Sequence, residues 1–66
     1  MNSEEMDILT REFGFVFPYD GNRCTDGKIT IVRLPRQGRF IVSGPGKRSR
    51  RLATFEQVLG FIVQHG

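Results

Sequence analysis

The sequence predicts one small α+β domain, with a helix at each end and an antiparallel sheet between them, and three observations lead there. Apolar residues recur at helical spacing near both termini, β-branched runs fill the middle, and Gly, Pro, Asn and Asp cluster at the junctions. Helices and strands segregate along the chain and do not alternate as βαβ units, which is the α+β pattern.

The first helix is expected over residues 3–13. Asn2 or Ser3 caps it, and with Asn2 as the cap Glu5 falls at the third helical position, which approximates a capping box. Met6, Leu9 and Phe13 share one face, the acidic first turn complements the helix dipole, and Gly14 is a natural stop.

Phe15, Val16 and Phe17 form a β-prone run ended by Pro18, read as a short edge strand, and Asp20-Gly21-Asn22 and Asp26-Gly27 read as turns. A three-stranded meander follows. Lys28 to Leu34 and Arg39 to Ser43 make a hairpin around the turn Pro35 to Gly38; after a second turn, Gly44 to Lys47, Arg48 to Leu52 returns as the third strand.

Thr54 and Gln57 form a capping box that opens the second helix, expected over residues 55–64 and packed on the sheet. Phe55, Val58, Leu59, Ile62 and Val63 give it a core-facing stripe. Leu59 and Ile62 are expected against Phe40 and Val42.

With 66 residues, 38% of them hydrophobic, the chain has the composition of a globule but room only for a small core. Such a core rarely contributes more than about 3–5 kcal/mol, and the single cysteine, Cys24, cannot form an internal disulfide. A homodimer is one remedy. Cys24 reads as a structural thiol, since the only histidine, His65, stands at the far end of the chain, and no metal-ligand spacing is present. No apolar run approaches the roughly 18 residues of a membrane helix, and the acidic N-terminal stretch is unlike a signal peptide. The expectation is a cytoplasmic protein that neither enters a membrane nor carries a cofactor.

The net charge of +3 is unevenly spread. Glu4, Glu5, Asp7 and Glu12 face only Arg11 in the first helix, whereas Arg33, Arg36, Arg39, Lys47, Arg48, Arg50 and Arg51 follow one another with no acid between them. Such a field attracts polyanions, of which nucleic acid is the commonest.

A symmetric hairpin pairs Leu34 with Arg39, Val32 with Ile41 and Thr30 with Ser43 on one side of the sheet. Ile29, Ile31, Phe40 and Val42 then form the other, core side. Extending that register through the second turn sets Arg48 beside Ser43 and Arg50 beside Ile41. Arg39, Arg48 and Arg50 would gather on the open side, with Lys47 and Arg51 available to phosphates, while Arg23 and Lys28 fall outside the patch. A β-ribbon carrying arginines can enter a major groove. Two other readings remain open: cations that only keep exposed strands soluble, and an open face with Val32, Leu34 and Ile41 that meets a protein partner or a second copy.

The stretch Gly38-Arg39-Phe40-Ile41-Val42, the Gly/Pro turn, Lys47-Arg48-Ser49-Arg50-Arg51 and the helix opening Ala53-Thr54-Phe55-Glu56 together resemble the three-stranded-sheet-plus-helix DNA-binding domains of tyrosine integrases and AP2-type factors. The resemblance covers about a third of the chain. It implies strand side chains in the major groove, here Arg39, Arg48 and Arg50, although this chain begins with an acidic helix where that family begins with its sheet. The order helix, three strands, helix also resembles small toxin ribonucleases of the HicA type, whose catalysis depends on a histidine in the sheet, and no histidine stands there in this sequence. Asp20 and Asp26 read as turn formers, and Gly44-Pro45-Gly46-Lys47 lacks the ending of a phosphate-binding P-loop. The expectation is therefore a small accessory nucleic-acid-binding protein, DNA before RNA, of the kind mobile elements carry, with no catalytic residues and no small-molecule substrate.

Overall fold

A computed structural model describes residues 1–46 and 48–65. The first helix, α1 (Ser3–Phe13), begins at Asn2, whose side chain accepts from the Glu5 amide at 2.8 Å while the Glu5 carboxylate accepts from the Asn2 amide at 3.2 Å. This reciprocal pair is the capping box expected from the sequence. Gly14 ends the helix in the left-handed region at φ 73°, and the Gly14 and Phe15 amides donate back to the carbonyls of Thr10 and Leu9. On the solvent side Asp7 and Arg11 pair one turn apart.

Four strands follow in sequence order as one antiparallel meander: β1 (Arg23–Thr25), β2 (Thr30–Leu34), β3 (Arg39–Ser43) and β4 (Arg50–Leu52). The sheet therefore has one strand more than the expected meander. The expected edge strand at 15–17 contributes only a bridge from Val16 to Thr25, and the edge is built instead by β1. Asp26 makes that edge possible, its Oδ1 accepting from the amides of Lys28 and Ile29 at 2.8 and 2.7 Å, which turns the chain from β1 into β2.

The β2–β3 hairpin has the expected register: Thr30 opposite Ser43, Ile31 opposite Val42, Val32 opposite Ile41, Leu34 opposite Arg39. The register of β4 differs by one residue from the expected one, with Phe40 opposite Leu52, Ile41 opposite Arg51 and Val42 opposite Arg50. Burial of Leu52 explains the shift. In the expected register Leu52 would lie beside Arg39 on the open side, whereas in the observed one it joins Phe40 and packs against the core.

The second helix, α2 (Phe55–His65), is capped as anticipated, with the Gln57 amide donating to Thr54 Oγ1 and Gln57 Oε1 accepting from the Thr54 and Ala53 amides. Its buried stripe is Val58, Phe61 and Ile62; Leu59 and Phe55 flank it half-buried, and Val63, expected inside, is 74% exposed. Placing Phe61 inward buries a large aromatic surface in place of a valine, which rotates the face by about one position. His65 packs on Phe61 with ring centroids 4.5 Å apart and is half-buried.

Leu9 of α1, Phe15, the inward strand residues Cys24, Ile31, Phe40 and Val42 with Ile29, and the α2 stripe form a single cluster. Both helices thus cover the same side of the sheet. Among the described residues no helix is long and apolar enough to cross a membrane.

Candidate functional site

Because both helices lie on one side, the other side of the four strands is left uncovered among the described residues. Strand alternation decides what it carries. One row across the sheet runs Arg23, Val32, Ile41, Arg51; a second runs Thr25, Thr30, Ser43; and Leu34 pairs with Arg39 at the hairpin end. The aliphatic and hydroxyl residues of this face are half-buried and its three arginines are exposed, whereas the alternate residues Cys24, Ile31, Phe40 and Val42 are at most 2% exposed.

Among the described residues the strands bring no carboxylate to this face. Among the described residues the one ion pair is Asp7–Arg11 on α1, so Arg23, Arg39 and Arg51 are uncompensated by close acidic neighbours. Three cations around two β-branched side chains create a positive surface against a low-dielectric sheet, where the field reaches further into solvent than on an isolated side chain.

The residues expected to form the patch divide. Arg39 and Arg51 lie on the open face, Arg51 in the place across from Ile41 that the sequence reading gave to Arg50. Arg50 lies across from Val42, on the helix side of the edge strand, where it is exposed. Arg48 is exposed in the connection between β3 and β4, outside any strand, and does not pair with Ser43. Lys47 lies outside the described residues. Arg33 takes no part, its guanidinium being 4.7 Å from the Phe40 ring centroid on the core side of the hairpin end.

The chain matches no protein-family model, no curated protein and no solved structure.

Two residues of this surface escape a reading that places turns at Asp20-Gly21-Asn22 and Asp26-Gly27 and no strand between them. Arg23, expected outside the patch, is carried by β1 onto the face beside Val32. Tyr19, in the loop before β1, is 81% exposed and lines a depression with Pro18, Arg23, Cys24, Thr25 and Thr30. The signal for Arg23 is the pair of turn clusters, Asp20-Gly21-Asn22 and Asp26-Gly27, which bracket a span just long enough for a short strand.

Cys24 is fully buried on the opposite face, and burial pushes its thiol up to about 12, so it stays protonated at neutral pH and offers no nucleophile. Among the described residues no group of His, Cys, Asp and Glu is arranged to hold a metal ion.

Proposed function

We propose that this chain is a small nucleic-acid-binding protein, with DNA as the first polyanion to test, and that the open sheet face is its contact surface. The observation that supports the reading is the acid-free face itself, with Arg23, Arg39 and Arg51 around Val32 and Ile41. Arginine is suited to both phosphate oxygens and guanine edges, and the small residues between let a backbone approach the sheet closely. Arg48, in the adjoining connection, extends the positive surface along β4. The reading is one of binding and not catalysis: among the described residues no general acid–base pair accompanies the arginines on this face.

Binding should be strong at low salt and decline as salt rises. Each phosphate contact contributes about −0.9 to the log–log slope on duplex DNA, so three face arginines give about −2.7. A titration of generic duplex and single-stranded DNA by anisotropy across salt concentrations measures it. Failure to bind either at micromolar protein and low salt would reject the reading.

A second reading rests on the centre of the same face. Val32 and Ile41 are cross-strand neighbours and Leu34 lies further along β2, all half-buried with no helix over them. In this alternative the strip is a dimer or partner surface rimmed by arginines. Light scattering separates the two: a monomer that binds DNA retires the dimer, and a stable dimer without DNA affinity retires the nucleic-acid reading.

A further inference from the structure

The depression beside Tyr19 lies at the β1 edge of the open face. It measures about 280 Å³, at the foot of the roughly 300–1,000 Å³ range of ligand pockets, and it is lined by Tyr19, Pro18, Arg23, Thr25 and Thr30 with the buried Cys24 beneath. Its size suits one planar unit of a polymer better than a whole ligand.

Its chemistry is that of a base site. Tyr19 is the most exposed large hydrophobic residue among those described, an aromatic platform held out over solvent. Arg23, which is exposed on the face, supplies a cation for a flanking phosphate. The Thr25 hydroxyl is committed, donating to the Ile29 carbonyl at 2.9 Å and accepting from the Gly27 amide at 3.1 Å. Thr30 makes only a marginal contact to Thr25 Oγ1 at 3.5 Å, so its hydroxyl has capacity for the edge of a base. Thr25 also spends its backbone amide and carbonyl on Val16, outward along the sheet plane, and strand alternation turns the backbone of Arg23 toward the same edge.

A paired base in a duplex hides both of its π-faces in the stack and presents nothing to an aromatic ring. An unpaired one exposes both. We propose that the natural ligand of the open face is single-stranded nucleic acid, with one unpaired base stacked on Tyr19 and its neighbouring phosphates tracking from Arg23 across the sheet toward Arg51. This rests on the nucleic-acid reading above and narrows it to strands with exposed bases.

Tyr19 is the only tyrosine in a chain without tryptophan, so intrinsic emission reports this site alone. The test titrates the full chain at low salt with an oligothymidylate of about 12 nucleotides, within the roughly 4–16-nucleotide sites of single-strand binders, and with a duplex of equal length. The expected result is tighter binding of the single strand with quenching of Tyr19. Tyr19→Ala should weaken single-strand binding about 5- to 150-fold with the salt slope unchanged, and Tyr19→Phe, which keeps the ring, should restore most of it. The same titration with oligouridylate distinguishes an RNA from a DNA source, quenching by either supporting the stack. Duplex bound as tightly as single strand, or full affinity in Tyr19→Ala, overturns this inference and leaves the basic face standing. Binding of neither strand removes both.

Discussion

Ile41 and Arg51 are cross-strand partners, and this pairing puts Arg51 on the open face while its chain neighbour Arg50 turns toward the side the helices cover. Two adjacent arginines of one edge strand, both exposed, thus differ in face and in little else.

That difference makes a controlled charge reversal. Arg51→Glu and Arg50→Glu alter the net charge equally, and exposed substitutions usually shift stability by less than about 0.5 kcal/mol, so both variants should fold as the parent does. Arg51→Glu should lower the salt slope of nucleic-acid binding by about one and weaken affinity well beyond Arg50→Glu, which acts only through the overall field. Equal losses in the two variants would show that binding follows net charge and not this face.

The core gives a graded series along α2. Ile62 is 4% exposed and belongs to the central cluster, so Ile62→Ala should cost about 2–5 kcal/mol, enough to unfold much of a domain this small. Leu59, half-buried at the margin of that cluster, should cost less. Val63→Ala, at a position 74% exposed, should change stability by no more than about 0.5 kcal/mol. Urea unfolding followed by circular dichroism ranks the three, and a costly Val63→Ala would contradict the orientation of α2.

Local chemistry made most of this fold legible in the sequence. Both helix starts are set by side chains within three residues of the cap, and the β2–β3 register follows from alternation around a short turn. What escaped depends on non-local burial. The register of β4 is decided by whether Leu52 reaches Phe40, which no spacing rule on its own strand specifies, and that one-residue difference exchanged Arg50 for Arg51 at the site. The rotation of α2 is decided by Phe61 against the sheet, although Val63 suits the helical period equally well. Arg23 is hidden by turn formers on both sides, since the strand between them is only Arg23–Thr25 and acquires its stability from pairing with β2, and Tyr19 gains its place only from the loop that leads into that strand.

Two helix-associated glycines should respond in opposite directions to alanine. Gly14 holds the C-cap at φ 73°, where an L side chain costs roughly 1–2 kcal/mol, so Gly14→Ala should destabilise by about that amount. Gly60 lies within α2 with helical backbone and nothing within 4 Å of an added Cβ, so Gly60→Ala should stabilise by about 0.5–1 kcal/mol. Thermal melts of the two variants against the parent provide the comparison, and a loss of stability in Gly60→Ala would mean that the exposed side of α2 meets something the isolated chain lacks.

The last prediction concerns alkaline stability and follows from Cys24. Its side chain is fully buried in the core cluster, and burial raises the thiol from an ordinary value of 9.0 to about 12. The folded state therefore keeps the proton over a range in which the unfolded chain has already released it. Where the unfolded state binds fewer protons, stability falls as pH rises, so this contribution is complete below about pH 9 and is lost progressively between about 9 and 12. Cys24→Ala removes the titrating group and leaves a small apolar side chain in its place. The variant should start less stable near neutral pH, because a buried sulfur contact is lost, yet decline less than the parent between pH 8 and pH 10.5 (the range of about 9 and above being where the thiol acts). Denaturant midpoints at those two pH values measure both effects. A thiol reagent should likewise leave the folded parent unmodified at neutral pH and label it only as denaturant opens the core, since attack requires an accessible thiolate. Parallel alkaline losses in parent and variant, or rapid labelling of the folded chain, would place Cys24 at a water-accessible position and contradict the packing of β1 against the helices.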